Sequence, residues 1–214
     1  MDKLRRPDQT FIDIFAGAFN ITCAASGHRI ANDINPYLTA LFSAVRDGWE
    51  PPEVITKKTY MEAMREKGRF PPYLLGFIGF GCSFAGKWFG GYASDSCGTN
   101  YAAVARRSLL KQKNALKDVQ ITTKPYLELD LPANSFIYCD PPYANTTKYS
   151  YSGAFDHETF WAWARGAANM GHKVVVSEYT APPWAIPIWE RKQTTTVSRN
   201  KEKYRQATER LFTI

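Results

Sequence analysis

The heptapeptide Ile137-Tyr138-Cys139-Asp140-Pro141-Pro142-Tyr143 limits the fold more than any other stretch, because an apolar run of β-forming residues stops there on an acid, two prolines and an aromatic. A short, unbroken apolar run fits a strand buried on both faces. Consecutive prolines cannot prolong it, since each lacks the amide donor of a sheet ladder and holds φ near about −65°. The strand therefore ends at Asp140, and the carbonyls pinned by the prolines are left to accept from another molecule. Asp140 adds a carboxylate acceptor, and Tyr143 follows at a distance from which its ring can wall a slot. Two acceptors beside a flat face suit the exocyclic amine of a planar ring such as a nucleobase. For the heptapeptide alone, a plain strand end with a surface tyrosine serves equally well.

The remaining segments alternate between strand and helix patterns. Thr10 to Phe15 is a short β-rich run that reaches Ala16-Gly17, and Asn20 to Gly27 is small enough to start a helix against it. Arg29 to Asp33 is a second strand, and its acid stands sixteen residues after Gly17, roughly the offset at which a doubly wound nucleotide site places a ribose-binding carboxylate. Asn35-Pro36 opens a helix through Val45 with Leu38, Leu41, Phe42 and Val45 on one face, and Thr56 caps another that runs to about Lys67. Tyr73 to Phe80 is apolar and passes into a loop dense in glycine and aromatics, through Tyr92, which either stacks on bases or packs as a hairpin on the sheet. Asn100 to Val119 reads as a basic helix with Val104, Leu109 and Leu116 inward and Arg106, Arg107, Lys111, Lys113 and Lys117 outward. Val119 to Thr122 and Ser135 to Cys139 are strands, and Ala144 to Gly153 is a polar loop beyond the slot. Asp156 caps a helix to Met170, His172 to Ser177 is a buried strand, and Ile188 to Val197 with Arg210 to Ile214 bracket the closing strands. This alternation predicts an α/β fold, a mostly parallel sheet with helices on both faces and an antiparallel hairpin at the end.

At 214 residues and 44% hydrophobic, the chain is long enough to bury a full core, and a single domain over 1–214 is expected, with a small target-recognition insert at about 73–119. No unbroken apolar stretch reaches the ~18 residues of a membrane span, and Met1 to Thr10 lacks the apolar core of a signal peptide, so a cytoplasmic protein without a membrane partner is expected. Cys23, Cys82, Cys97 and Cys139 form no Cys-x-x-Cys pair and have no His at ligand spacing, which predicts reduced thiols and no metal. The net charge of +7 makes a polyanionic partner plausible, although each basic group, including Arg199, Lys201, Lys203 and Arg205, is separately explained by a solvated face. Oligomeric state is not legible.

Asp140 to Tyr143 resembles the catalytic motif of amino-methyltransferases in its Asp-Pro-Pro-Tyr form. Together with Phe15-x-Gly17, Ala31-Asn-Asp-Ile-Asn35, the Gly-Phe-aromatic loop and Lys173 to Tyr179, in that order along the chain, it is similar to the Dam-like D12 class of adenine-N6 DNA methyltransferases, particularly short phage forms. The resemblance implies a Rossmann-like fold that depends on S-adenosylmethionine, and double-stranded DNA as substrate, in the host cytoplasm if a phage encodes it. Carried over by position, Asp140, Pro141, Pro142 and Tyr143 are the catalytic residues, and Asp13, Phe15, Ala16, Gly17, Asp33 and Asp140 border the cofactor. Lys87, Arg106, Arg107 and Lys148 are the candidate DNA contacts. The chain departs from the family at Phe19, where glycine usually recurs, and at Pro125, where an acid commonly precedes the aromatic Tyr126. An inactive nucleic-acid-binding homologue, or an RNA or protein methyltransferase, is the alternative.

Overall fold

Both side-chain parities of the central strands are apolar, and the sheet they form is covered on both faces. In the computed structural model, which describes residues 2–143, 155–194 and 206–214, β1 (Phe11–Asp13), β2 (Arg29–Asn32), β3 (Val119–Thr122), β4 (Phe136–Cys139) and β5 (Lys173–Glu178) are parallel neighbours. β6 (Ile186–Thr194) and β7 (Gln206–Thr213) form an antiparallel hairpin, with β7 paired to β5. The order across the sheet is β3-β2-β1-β4-β5-β7-β6, the Rossmann-like arrangement with a closing hairpin expected from the sequence.

One parity, Ile12, Ile14, Ile30, Ile137, Cys139, Val174 and Val176, packs beneath α6 (His157–Asn169), whose Phe160, Trp161, Ala164 and Ala167 face it. The chain crosses from β3 to β4 on this face through a connector with a single 3-10 turn, Tyr126–Glu128, and Tyr126, Leu129 and Leu131 of that connector complete the cover. The other parity meets α1 (Asn20–Ala24) through Phe11, Phe136, Tyr138 and Val175, with Ile21 packed on them. Beyond α1, the face is built by α2 (Pro36–Arg46), α3 (Lys57–Arg65), α4 (Pro72–Gly76) and α5 (Tyr101–Leu116), which share one apolar cluster reaching Ala31 and Val119 of the sheet. Asn35, Thr56, Asn100 and Asp156 cap α2, α3, α5 and α6 with side-chain oxygens that accept from first-turn amides, and Thr56 and Asp156 are the caps expected from the sequence.

The segment after α4 winds into a π-turn, Phe77–Gly81, and then a short hairpin closed by a bridge between Ser83 and Tyr92. Its aromatics turn mostly inward. Trp88 stacks on Tyr37 with centroids 4.7 Å apart, and the Tyr60 hydroxyl lies 2.7 Å from Ser83 Oγ. Phe84 is the exception, 69% exposed, with Lys87 exposed beside it. Along α5, Leu109 and Leu116 are buried as expected, but Val104 is 43% exposed, because the helix bears on the core over only part of its length. The four cysteines are free thiols. No helix among the described residues is long and apolar enough to cross a membrane.

Candidate functional site

The sheet order reverses between β1 and β4. From β1 the chain continues to β2 and β3 on one side, and from β4 to β5 on the other, so the connections diverge at the carboxyl ends of the two central strands and leave a crevice there. The strands are in register, with Asp13 opposite Tyr138, and Ile14 N–H donates to Tyr138 O at 3.0 Å. The loop after β1 and the loop beginning at Asp140 thus face each other across one gap. Four of the predicted groups come together here: Phe15 to Gly17, Asp33, Asp140 and Tyr143.

On the β1 side, Gly17 takes φ +49°, a left-handed conformation that favours glycine, and its N–H donates to Asp33 Oδ2 at 2.9 Å. Asn35 N–H donates to Asp33 Oδ1 at 2.8 Å. These two bonds fix the carboxylate, and burial still raises its pKa. A carboxylate has about four acceptor positions, so each oxygen of Asp33 keeps one for a ligand hydroxyl. The space above Gly17 is open, since a Cβ there would meet only Phe15 O, at 3.9 Å. The Phe15 ring continues the wall, 5.7 Å from both Tyr126 and Phe155. Ala16 is buried and its N–H is taken by Asn32 O.

Phe19 does not enter the crevice. Its backbone is left-handed, φ 59° and ψ 16°, which is the conformation a glycine would supply, and its fully buried ring stacks on Phe42 at 4.1 Å in the core beneath the helices. Pro125 leaves no carboxylate ahead of Tyr126, and Asp130 further along the connector is paired with Lys124 at 3.0 Å. One residue that the sequence did not single out holds this half together. Asn32 Nδ2 donates to Ile14 O and Lys124 O, while its Oδ1 accepts from Thr122 Oγ1 and Lys124 N–H, at 2.9–3.2 Å. All four of its hydrogen-bonding positions are used, and they tie the ends of β1, β2 and β3 to one amide.

Asp13 departs from its expected place in the cofactor wall. It is 1% exposed, on the strand parity that faces α1, where Thr22 Oγ1 donates to Oδ2 at 2.7 Å. Oδ1 has no partner among the described residues. Burial, opposed by the Thr22 bond and reinforced by Asp140 and Asp33, pushes this carboxyl up to about 7. Asp13 therefore lies under the crevice, where the charges of Asp140 and Asp33 act on it.

On the β4 side, Asp140 opens to solvent while its surroundings push its pKa up to about 6; desolvation is the main cause, with the Tyr143 hydroxyl lowering it and Glu209 raising it. Pro141 is buried and Pro142 half-buried. The Tyr143 ring meets Tyr179 edge-on with centroids 4.7 Å apart, and its hydroxyl lies 2.9 Å from Ser177 Oγ and 3.2 Å from Glu209 Oε1. Desolvation first, then neighbouring carboxylates, hold the phenol of Tyr143 well above the usual tyrosine range. Neither Ser177 nor Glu209 was legible as a site residue, because only the pairing of β5 with β7 brings them to Tyr143.

The basic candidates separate. Lys87 and Arg107 are exposed. Arg106 is not available as expected: its Nη2 pairs with Glu50 at 2.6 Å and its Nε donates to Pro51 O at 2.8 Å, which pins α5 to the segment after α2. Lys148, the polar loop around it and the group Arg199, Lys201, Lys203 and Arg205 lie outside the described residues.

The model of the family D12 class N6 adenine-specific DNA methyltransferase matches residues 89–205, more than half of the chain. The matched segment contains Asp140 to Tyr143 and Ser177 and stops short of Glu209. No curated protein matches the sequence. Among solved structures, the chain is similar to "Crystal structure of SMU.472, a putative methyltransferase complexed with SAH", at 12% identity and a TM-score of 0.33. The likeness covers 98% of this chain, which spans about half, 48%, of that protein.

Proposed function

Because the chain belongs to the D12 class of N6 adenine-specific DNA methyltransferases, we propose that it methylates N6 of adenine in double-stranded DNA with S-adenosylmethionine as donor. The observation that carries this reading is the Asp140-Pro141-Pro142-Tyr143 turn at the switch point of the sheet, opposite a glycine loop and a fixed carboxylate. The other half of the crevice fits the donor. Asp33 has free acceptor positions for ribose hydroxyls, Gly17 presents backbone with open space above it, and Phe15 offers an apolar wall. Three carboxyl groups, Asp13, Asp33 and Asp140, gather at or beneath the crevice, each with its pKa raised chiefly by desolvation. A site with that charge balance favours a cationic ligand. The bound donor supplies a methyl group on a positively charged sulfur.

The chain's own groups then act on the base. An adenine amine is a weak nucleophile, since its lone pair is conjugated into the ring. Accepting its two hydrogens at the Asp140 carboxylate and the Pro141 carbonyl favours the pyramidal form in which the lone pair can attack. Tyr143 borders the slot with its ring, where a base turned out of the duplex can rest. Asp140, with a pKa raised to about 6, is also able to take up the proton that N6 gives up. Asp140→Ala should abolish transfer of labelled methyl to DNA while far-ultraviolet circular dichroism stays unchanged. Turnover within a few-fold of wild type would remove Asp140 from the mechanism. The alternative of an inactive DNA-binding homologue rests on Pro125 alone once the Phe19 ring is seen to face the core, and calorimetric titration with S-adenosylmethionine distinguishes it by the absence of heat.

A further inference from the structure

The hydroxyl of Tyr143 carries one proton and, among the described residues, has the oxygens of Ser177, Glu209 and Asp140 about it. It lies 2.9 Å from Ser177 Oγ and 3.2 Å from Glu209 Oε1, and it is near enough to the Asp140 carboxylate to lower that group's pKa. Ser177 Oγ in turn lies 3.4 Å from Glu209 Oε1 and is shared with the Tyr138 hydroxyl. Sheet geometry sets this up. Ser177 on β5 pairs with Leu211 on β7, so Glu209, two residues from Leu211, projects on the same face. Ser177 is 1% exposed and Glu209 half-buried, which is not where a strand keeps polar groups for solubility.

The three acceptors compete for one proton. Given to Asp140, it caps a carboxylate oxygen that the substrate amine needs. Given to Glu209, it leaves that oxygen open and still anchors the ring. We propose that Glu209 and Ser177 are positioning residues for Tyr143: they draw its hydroxyl away from Asp140 and hold the ring against Tyr179 so that one face borders the base slot. The inference rests on the adenine-methylating reading and adds two residues to it, one of which lies beyond the segment matched by the family model.

The test is a cycle of variants in the full chain, assayed with labelled S-adenosylmethionine and duplex DNA. Glu209→Ala should lower kcat roughly 10-fold, the scale of losing one hydrogen bond to a charged group, with KM for S-adenosylmethionine within about 2-fold of wild type. Glu209→Gln, which keeps an acceptor oxygen, should restore most of the rate. In a Tyr143→Phe background, Glu209→Ala should cost nothing further, since the group it acts through is gone. Should Glu209→Ala fail to fold, Ser177→Ala takes its place in the same cycle with the same expectation. An active wild type whose single losses multiply, or whose Glu209 variants match it, overturns the positioning role and leaves the functional reading standing. An inactive wild type overturns the functional reading and this role with it.

Discussion

Phe19 is a large side chain in a backbone conformation that L-residues avoid, and its replacement gives an ordering that few positions would show. Holding a non-glycine residue in the left-handed region costs about 1–2 kcal/mol. Against this, full burial of the ring contributes about 1.5–3 kcal/mol, and stacking on Phe42 at 4.1 Å adds about 0.5–1.5 kcal/mol. Burial wins, which is why the phenylalanine is tolerated there. Phe19→Ala forfeits the ring and leaves a cavity, a loss of about 3–5 kcal/mol, while the strain stays. Phe19→Gly forfeits the ring and also relieves the strain. The glycine variant should therefore be about 1 kcal/mol more stable than the alanine variant, although at an ordinary helix or strand position glycine is the worse of the two by about 0.5–1 kcal/mol. Urea unfolding of the three proteins at low temperature measures both differences. Because the ring faces the core, Phe19→Gly should bind S-adenosylmethionine within about 2-fold of wild type. An alanine variant more stable than the glycine variant would refute the left-handed geometry, and a tenfold gain in cofactor affinity would refute the direction of the ring.

The buried carboxyl of Asp13 should make stability depend on pH. Its folded pKa of about 7 lies above the ordinary aspartate value of 3.8, so its contribution is full below the lower value and is lost as pH rises through the higher one. Relative to Asp13→Asn, the wild type should lose about 2–3 kcal/mol of stability between pH 5 and pH 8, and parallel curves from denaturant titrations would contradict this. The two adjacent arginines of α5 should separate as well. Arg107→Ala should weaken duplex binding and flatten its salt dependence by about one counterion, whereas Arg106→Ala should lower thermal stability and leave the salt slope as it was. Equal slopes for the two variants would undo that division.

Local chemistry made much of this fold readable in advance. The capping oxygens of Asn35, Thr56, Asn100 and Asp156, Pro36 in a first turn, and the prolines after Cys139 each mark a boundary by a bond made or forbidden within four residues. The strand end at Asp140 and the turn at Gly17 were legible for the same reason, since both follow from the chain's own backbone, whereas the bond from Gly17 to Asp33 spans sixteen residues and was not. What escaped is what depends on distant partners. Arg106 looks like any outward base until Glu50 meets it, and the direction of the Phe19 ring is set by Phe42. Asp13 alternates with Ile12 and Ile14 in a run where the face that receives a carboxyl depends on Thr22 of the next helix. Ser177 and Glu209 are separated by 32 residues and become neighbours only through the register of β5 and β7.

Asn32 has a consequence for how a ligand is received. Because one amide fastens the loop after β1 to the connector after β3, neither can shift without breaking bonds of the other. The ordering entropy of this wall is met when the chain folds, and none of it is left to be spent when a molecule arrives. Association on this side should thus resemble docking against a finished surface, with a heat-capacity change that reflects the ligand's own buried area and no added term from loop ordering.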